Sequence, residues 1–501
     1  MWQFLLLIEM AVTPFFQPID SSANGYTLFE LRHQPLSYNN LLDRLILVNR
    51  AYSPSGALNT HSAPGDLSFW IHEVAYNQSL GPARYPTALA GFVPYITFPV
   101  LVGGVWGGFV VIKWDDWFSA PECSVFVTAP VFFAVAKQLP NSNLTVITQT
   151  VSGDILYWTF SSMLDTIIAA DTLASNAEYS GFDINGGIAY VFYFNQTGLY
   201  YRTTTDGIIW SSEQEWNIPF TPPYTGYMHY INLAVTDNGE PIIVFDYWSS
   251  DDPTYPYYGR IYVSYASGVP PIDLTASLPD TEAMYPTIAC GGNYAVVIFN
   301  TPRNNLPDSQ AWMDILMCVS TDNGRTWSEP QNITWSNTTS RIGLQQIAKR
   351  VDLIRNRIYY IFASDMVVNC DPFWHIWWEG GTDPMYIYFG YNSILGSAEQ
   401  KAQNLKTGSV ELDVYPNPFS QKAEIRYIMQ DKKYTRTAVS LKIYDSSGRL
   451  VKFFNHLIIQ PSGQILWDGT DDRGFQLSNG IYFMVLEALD MRLKKKIIIV
   501  R

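Results

Sequence analysis

The feature that most constrains this chain is a repeated pair of short strand patterns, each rich in apolar and aromatic residues. The first member of a pair is a compact apolar run, and the second alternates aromatic residues with others after a loop of variable length. Both members are predicted to be β-strands, because aromatic and β-branched residues favour pleated sheets. The seven predicted pairs are 45–48 with 67–72, 93–98 with 109–114, 131–136 with 155–160, 188–194 with 199–204, 241–246 with 260–265, 294–300 with 314–320, and 357–363 with 385–390.

Further strand signals precede several of these pairs and indicate a four-stranded repeat. Residues 83–90 and 283–290 share the sequence Tyr-Pro-Thr at corresponding positions. Four short antiparallel strands in each repeat are typical of a β-propeller, whose ring closure protects the sheet edges. We therefore predict an all-β propeller over residues 25–398, with seven blades favoured over six or eight. A run of β-sandwiches is the rival architecture, but no linkers divide this region into sandwich-sized domains.

The distribution of charge divides the chain into two parts. Residues 401–501 carry 16 Lys and Arg and 10 Asp and Glu, whereas residues 1–400 carry 15 and 35. The acidic first part argues against nucleic-acid binding, which needs a basic surface. Residues 399–410 are polar, lack aromatics and are predicted to be a linker. Residues 411–501 are predicted to form a small Ig-like β-sandwich, because short alternating strands are separated there by turn signals.

Residues 1–24 are interpreted as a degraded signal peptide and lead-in. The apolar stretch 2–12 has the length of a signal-peptide core, but it lacks basic residues and Glu9 interrupts it. A first β-strand is the alternative interpretation. No segment approaches the roughly 20 apolar residues that a transmembrane helix needs, so no membrane span is predicted.

The four cysteines, Cys123, Cys290, Cys318 and Cys370, are far apart in the sequence. There is no CxxC motif and no Cys/His cluster, so we predict neither a metal site nor a cofactor. The four thiols are expected to be buried and free. A disulfide between Cys290 and Cys318 is the alternative.

The sharpest local motif is the segment Ser320-Thr-Asp322-Asn-Gly324-Arg-Thr326-Trp327, directly after a predicted strand. Serine and aspartate side chains can hydrogen-bond a turn backbone, and glycine can adopt positive φ. The pattern resembles the Asp-box, or bacterial-neuraminidase repeat, of sialidase-like β-propellers. The resemblance implies a structural turn on the side of the propeller away from the active site. Asp322 is therefore predicted to be structural.

A shortened relative of this motif contains Asp206, Gly207 and Trp210, again just after a predicted strand. The resemblance implies that a true sialidase would also carry three arginines for the substrate carboxylate, a Tyr–Glu pair and an early F/Y-R-I-P motif. That motif is absent, and arginines are few in the propeller region. No catalytic residue is assigned, and a sialidase-like glycoside hydrolase is kept as an alternative function.

Ligand binding is predicted at the opposite end of the propeller. In an Asp-box blade the motif joins strands three and four, so the loops between strands two and three lie at the other end. Three of those loops are long and aromatic, which suits stacking on sugar rings or contact with a protein; folding back onto the blades is the alternative. The predicted ligand-binding residues are Trp248, Tyr255, Tyr257, Trp312, Trp374, His375, Trp377, Trp378 and Glu379.

The C-terminal region carries several motifs whose order is informative. The segment 414–419 reads VYPNPF, and two turn dipeptides separate later apolar strands. The order and spacing resemble the type A C-terminal sorting domain of the type IX secretion system, and also the Ig-like domain of flagellar hook-capping proteins. The resemblance implies export across the outer membrane; a plain Ig-like stalk is the alternative. The residues that carry it are Pro416, Asn417, Pro418, Gly448, Asp468, Gly469, Asn479, Gly480 and Tyr482.

These features predict a secreted or outer-membrane surface protein that binds a glycan or a surface protein through its aromatic loops. The type IX secretion machinery is the predicted export partner, and no nucleic-acid partner is predicted. The alternatives are an extracellular glycoside hydrolase and a structural component of the cell surface. Two carboxylates about 5–10 Å apart in the central pit would favour the hydrolase.

Overall fold

The structure is a computed structural model, and it divides the chain into two compact units, Met1–Ile394 and Leu395–Arg501. All regular secondary structure among the described residues is β-strand. The described residues are 15–22, 32–52, 56–117, 121–222, 226–249, 259–278, 283–302, 313–334, 341–365, 385–394, 410–415, 419–420, 422–429, 439–445, 449–457, 462–488 and 491–500.

The first unit contains seven four-stranded antiparallel sheets, which are numbered here as blades in chain order. Blade 1 comprises β2 Leu36–Asn39, β3 Arg44–Arg50, β4 Leu58–Pro64 and β5 Ile71–Tyr76, and blade 2 comprises β6 Thr87–Ala90, β7 Pro94–Val102, β8 Val105–Trp114 and β9 Pro121–Thr128. Blade 3 comprises β10 Val131–Gln138, β11 Leu144–Thr150, β12 Ile155–Phe160 and β13 Ile167–Ala174, and blade 4 comprises β14 Glu178–Asn185, β15 Ile188–Asn195, β16 Gly198–Thr204 and β17 Gln214–Glu215. Blade 5 comprises β18 Gly226–Val235, β19 Pro241–Ser249, β20 Gly259–Ser264 and β21 Ile272–Asp273, and blade 6 comprises β22 Met284–Gly291, β23 Tyr294–Pro302, β24 Met313–Ser320 and β25 Gln331–Asn332. Blade 7 comprises β26 Arg341–Ile347, β27 Arg357–Asp365, β28 Met385–Ser393 and β1 Phe15–Ser22.

The seven blades close into a ring. The first strand of each blade contacts the first strand of the next blade from blade 1 to blade 7, and β27 of blade 7 contacts β2 of blade 1. This arrangement confirms the predicted all-β propeller, and the blade number is the favoured seven.

Blade 7 is completed by the N-terminal strand. Residues Phe15–Ser22 pair antiparallel with Met385–Ser393, so the chain closes the ring by joining its first strand to its last blade. The sequence-based boundary at residue 25 leaves this strand out, and the structure extends the propeller to Phe15. The reason is that an edge strand is recognised by its pairing partner, which lies far away in the sequence.

Five of the seven predicted strand pairs are adjacent in the structure, and two are not. The partner of β3 is β4 rather than the predicted 67–72, and the partner of β10 is β11 rather than the predicted 155–160. Both missed strands, β4 and β11, are rich in Thr, Asn, Ser or Gln. Their polar side chains hid them from an apolar-pattern search, although β11 is fully buried.

The hydrophobic core lies between neighbouring blades. One cluster joins Ile46 and Val48 of blade 1 to Ile96, Phe98 and Val110 of blade 2. Corresponding clusters fill the other seams of the ring. A middle strand is thus covered on both faces, which explains why so many strands are continuous apolar runs.

The second unit is a β-sandwich of one three-stranded and one four-stranded sheet. Its core includes Trp467, Ile443 and Met484. The strands of the first sheet are β29 Val410–Tyr415, β30 Ala423–Met429 and β33 Ser462–Trp467. Those of the second sheet are β31 Val439–Asp445, β32 Leu450–Leu457, β34 Gly480–Ala488 and β35 Met491–Ile499.

The described cysteines are free. Cys290 and Cys318 are buried in one seam, where burial raises the pKa of each thiol to about 12. They lie on β22 and β24, on either side of β23, so about 10 Å separates their strands and a disulfide does not form. Cys123 is partly exposed, contrary to the expectation that it is buried. Cys370 lies outside the described residues.

Candidate functional site

The first Asp-box is a turn between the third and fourth strands of blade 6, as its sequence predicts. Asp322 Oδ1 accepts hydrogen bonds from the backbone N–H groups of Arg325 and Thr326 at 3.1 and 2.8 Å and from the Ser320 hydroxyl at 2.8 Å. Its Oδ2 accepts the Thr326 hydroxyl at 2.6 Å. These bonds hold the pKa of Asp322 below its usual value against the effect of burial. Gly324 has φ +82°, which favours glycine.

Trp327 completes this turn. Its indole N–H donates to the Gly324 carbonyl at 2.9 Å, and the ring packs against the core cluster between blades 5 and 6. The motif therefore covers a seam of the ring and directs no group of Asp322 into a cavity. The predicted structural role is what the geometry supports.

The second Asp-box lies at the equivalent turn of blade 4. Asp206 accepts the backbone N–H groups of Ile208 and Ile209 at 2.8 and 2.9 Å, and the Thr204 hydroxyl at 3.1 Å. Gly207 has φ +75°, and Trp210 packs on Tyr157 of blade 3 with ring centroids 5.5 Å apart. Asp206 makes fewer bonds than Asp322, which matches the shorter motif.

Both Asp-boxes share an end of the propeller with the turns that join first and second strands. The Asn141 amide of one such turn donates to the Asp206 carbonyl at 3.1 Å, and the Asn323 N–H donates to the carbonyl of Asn293, in another, at 2.9 Å. We call this the Asp-box end. The opposite end, with the connections between second and third strands, is called the loop end.

A pit of about 530 Å³ opens at the Asp-box end, on the axis of the ring. Six of the seven blades line it, through the turns between their first and second strands. Side-chain amides tie neighbouring turns together: Asn39 Nδ2 donates to the Ala90 carbonyl at 2.9 Å, and Gln138 Oε1 accepts the Phe92 N–H at 2.9 Å. Phe92 is one of the lining residues and its side chain is 58% exposed, so the mouth of the pit presents an aromatic ring.

Four charged residues, Lys137, Asp183, Lys349 and Arg350, lie at the inner ends of the lining turns and are called the charged floor. Asp183 is fully buried, and its two oxygens accept a bidentate pair of bonds from Arg350 at 3.0 and 3.1 Å. Lys137 Nζ lies 3.2 Å from Asp183 Oδ1. Burial by itself would raise the pKa of Asp183, but the neighbouring Arg350 and Lys137 hold this pKa at about 2.

The two lysines of the floor also cross the ring axis to other blades. Lys137 of blade 3 donates to Gln34 Oε1, just before blade 1, at 2.5 Å. Lys349 of blade 7 donates to the side-chain oxygen of Asn232 in blade 5. These two bonds therefore tie the charged floor to blade 5 and to the segment before blade 1.

Among the described residues, two carboxylates line the pit, the buried Asp183 and the exposed Asp237. The fully buried carboxylate there is Asp183, and it stays ionised, so it cannot act as a general acid. Arg350 is the one arginine in that described lining, and a sialidase-like grip on a carboxylate would use three. No group of three or more potential metal-ligating side chains occurs in the described part of the chain.

The residues predicted to bind ligand lie mostly outside the described part of the chain. Those outside it are Tyr255, Tyr257, Trp312, Trp374, His375, Trp377, Trp378 and Glu379. Trp248 is described and is buried at 8% exposure, with its indole N–H donating to Asp246 at 3.1 Å. It packs with Met284, Tyr285 and Met313. For Trp248 the structure shows folding back onto the blades, the alternative considered for the aromatic loops, and corrects the expected exposure.

Sequence reasoning missed the charged floor. Lys137 directly follows a predicted apolar strand, whereas Lys349 and Arg350 follow β26, which is not among the predicted strands. The available sequence signal for this floor was a lysine or arginine at the inner end of a first strand. Such residues are few, because residues 1–400 contain 15 Lys and Arg in total. The meaning of this signal depends on the ring, which brings residues more than 200 positions apart together.

The described motif residues of the second unit shape its turns. Asp468 Oδ1 accepts the N–H and the hydroxyl of Thr470 at 3.1 and 2.7 Å, and Gly469 has φ +72°. Tyr482 is buried and its hydroxyl donates to the Ser478 carbonyl at 2.9 Å. Asn479 and Gly480 stand at the start of β34. Outside the described residues are Pro416, Asn417, Pro418 and Gly448.

Comparison with solved structures supports the fold. An ulvan lyase, described as a new family of polysaccharide lyase, aligns with a TM-score of 0.51 at 12% identity over 78% of this chain and 99% of its own. The same kind of lyase bound to -[GlcA(1-4)Rha3S]- gives 0.51 at 11% identity over 77% and 98%. At such identities the likeness bears on the fold alone.

A third structure is PorZ, a surface component of the type-IX secretion system of Porphyromonas gingivalis. It aligns at 14% identity with a TM-score of 0.41, over 94% of this chain. The chain spans 60% of the length of PorZ, and at this score the likeness carries no argument. Curated protein sequences give no significant match. Among the described residues, no helix has the length and hydrophobicity to cross a membrane.

The C-terminal unit has a family match of its own. Residues 413–500 match the family described as the secretion system C-terminal sorting domain. This match agrees with the β-sandwich and with the turn motifs of the second unit. Residues 413–500 are thus a type IX secretion system C-terminal sorting domain, and the chain is an all-β propeller protein exported to the cell surface or the extracellular space.

Proposed function

We propose that this protein is a glycan-binding protein of the cell surface or extracellular space, and that the axial pit at the Asp-box end is its binding site. The observation that carries the proposal is the pit itself: about 530 Å³ of space, with an exposed aromatic ring at its mouth and charged groups at its floor. Carbohydrate ligands are recognised by this combination of an apolar ring face with converging polar groups.

The amides around the pit add to this support. Asn185 Nδ2 donates to Asp237 Oδ1 at 2.7 Å, so a carboxylate and an amide stand together on the lining of blades 4 and 5. Such groups are fixed by bonds between blades, so little side-chain entropy remains to be lost when a ligand binds. The two ulvan lyases of similar fold are polysaccharide lyases, and the pit supports glycan binding independently of that likeness.

A glycan array probed with the purified full chain tests the proposal. We expect at least one glycan to bind reproducibly, and titration of that glycan to change the tryptophan fluorescence in a saturable way. A blank array from a folded sample would contradict glycan binding and would favour the structural surface component.

Substitution at the mouth of the pit then locates the site. Phe92→Ala is expected to weaken binding of the array hit about 3- to 10-fold, because a ring contact contributes on the order of 1 kcal/mol. The matched control is Phe475→Ala, whose side chain is 69% exposed in the second unit. Equal affinities of the two variants would contradict the pit as the site.

The aromatic loops at the loop end remain a second proposed site for the same function. Loss of glycan binding in the double variant Trp377→Ala and Trp378→Ala, with Phe92→Ala unaffected, would assign binding to the loop end instead. A protein ligand, rather than a glycan, is the corresponding outcome if the array is blank and the loop variants lose a cell-surface partner.

A further inference from the structure

We propose that the ligand of the pit carries an acidic oxyanion, a carboxylate or a sulfate ester, which binds the ammonium groups of Lys137 and Lys349. This inference rests on the proposed glycan-binding function and names the chemical class of the ligand.

The charged floor holds more positive than negative charge. Three cationic side chains, from Lys137, Lys349 and Arg350, border the pit, whereas its described lining has two carboxylates, Asp183 at the floor and the exposed Asp237. Lys137 and Lys349 are each 7% exposed, so water does little to screen the excess. Burying unpaired positive charge is costly, and an incoming anion would remove that cost.

Asp183 has no remaining capacity to neutralise Lys349. Its Oδ1 faces Lys137 and Arg350, and its Oδ2 accepts Arg350 and the backbone N–H of Val235 at 2.8 Å. A carboxylate offers about four acceptor positions, and these contacts occupy them. An anionic group on a ligand would therefore pair the floor cations that Asp183 leaves over.

Lys349 is held by neutral oxygens. Its ammonium donates to the Asn232 side chain and, at 3.4 Å, to the Ile288 carbonyl, and no carboxylate of the described residues lies within ion-pair distance of it. Burial lowers its pKa to about 7; attraction to Asp183 opposes this shift, and repulsion from Lys137 and Arg350 adds to it. An ammonium has three donors, so one N–H of Lys349 remains for a ligand.

Lys137 has a corresponding spare donor. Its two contacts are Gln34 Oε1 and Asp183 Oδ1, which leaves its third N–H for the pit. Arg350 is committed to Asp183 and to the carbonyls of Ile184 and Lys349, so it serves to orient the floor. Two convergent ammonium donors suit an oxyanion with several acceptor oxygens. Carboxylate and sulfate share that chemistry.

The test compares acidic and neutral sugars on the full chain. The probes are glucuronate, glucose 6-sulfate and glucose, and binding is measured by calorimetry at fixed ionic strength. One or both acidic sugars are expected to bind at least about 10-fold more tightly than glucose. The two acidic arms distinguish a carboxylate ligand from a sulfate ester.

A substitution at Lys349 of the charged floor tests whether this residue causes the preference for acidic sugars. Lys349→Met is expected to weaken binding of the acidic sugar about 10-fold and so to remove its preference over glucose. The matched control is Lys113→Met, a lysine that is also buried, at 9% exposure, but lies on β8 away from the pit. An acidic preference that survives Lys349→Met would overturn the proposal.

A further measurement on the unmodified protein keeps the proposal testable if a variant fails to fold. Inorganic sulfate should displace the acidic sugar, and chloride at the same ionic strength should displace less of it. Array hits without any acidic preference would overturn this inference and leave the proposed glycan binding intact. No binding of any of the three sugars, with a blank array, would contradict both.

Discussion

Asp322 in the first Asp-box and Asp183 in the charged floor are both aspartates with lowered pKa values, but they are used in opposite ways. Asp322 is partly exposed and bonds only to its own turn, within six residues of chain. Asp183 is fully buried and bonds to residues of blades 3, 5 and 7. The first carboxylate stabilises a hairpin, whereas the second holds several blades around a surplus of positive charge.

Comparing the two aspartates distinguishes polar groups that stabilise this propeller from polar groups that can bind a ligand. The Asp-box is self-sufficient, because the four hydrogen bonds that Asp322 accepts all come from its own turn. The charged floor is not, because its cations outnumber its carboxylate and face a cavity. A site whose charges balance needs no ligand, and a buried site whose charges do not balance gains stability when an ion of opposite sign binds.

The largest effect is expected from Asp183→Asn. The substitution keeps the shape of the side chain but leaves the buried Lys137 and Lys349 and the partly buried Arg350 without their carboxylate, so we expect a loss of about 3–5 kcal/mol in the free energy of unfolding. Urea denaturation of the full chain, monitored by tryptophan fluorescence, measures it. The control is Asp237→Asn, at the exposed side of the same pit lining. Equal stabilities of the two variants would show that the floor is not held together by Asp183.

A smaller effect of opposite sign is expected from Lys349→Met. Below pH 7 the folded protein must bury the charged ammonium, whereas between about pH 7 and the ordinary lysine value of 10.5 the folded state releases the proton and the unfolded state keeps it. The unfolded state therefore binds more protons in this window, so stability should rise with pH there.

Lys349→Met should remove that rise and be more stable than the unmodified protein at pH 6, by an amount of the order of 2 kcal/mol. The midpoint of thermal unfolding between pH 6 and 10 is the measurement, and Lys113→Met is the control. A pH profile that Lys349→Met leaves unchanged would contradict a buried, charged Lys349.

The smallest effects are expected in the Asp-boxes. Asp322→Ala should cost about 1 kcal/mol, as the loss of a side-chain acceptor for turn N–H groups does at helix N-termini, and Asp206→Ala should cost less. The order follows from the extra Thr326 hydroxyl bond that Asp322 accepts. Chemical denaturation of both variants measures it. Neither variant should alter glycan affinity, and a change there would break the distinction between the two kinds of aspartate.

The local features of this protein could be predicted from its sequence. Strand periodicity predicted the all-β propeller, and the turn chemistry of Gly324 and Asp322 predicted the Asp-box, because these depend on residues within one or two turns of chain. The order of turn motifs after residue 411 identified the sorting domain for the same reason. Strands β4 and β11 were not predicted, because they are buried by neighbouring strands although their own side chains are largely polar.

Contacts between residues that are far apart in the sequence depend on the closure of the ring. Residues 15–22 became part of blade 7, and Lys137, Asp183 and Lys349 met around the axis, although no local pattern connects them. The physical reason is that ring closure places the inner ends of all first strands side by side, whatever their separation in the chain. In the sequence, a single lysine or arginine at the end of an apolar strand is indistinguishable from an ordinary strand end. It becomes part of a charged floor only when the ring is closed.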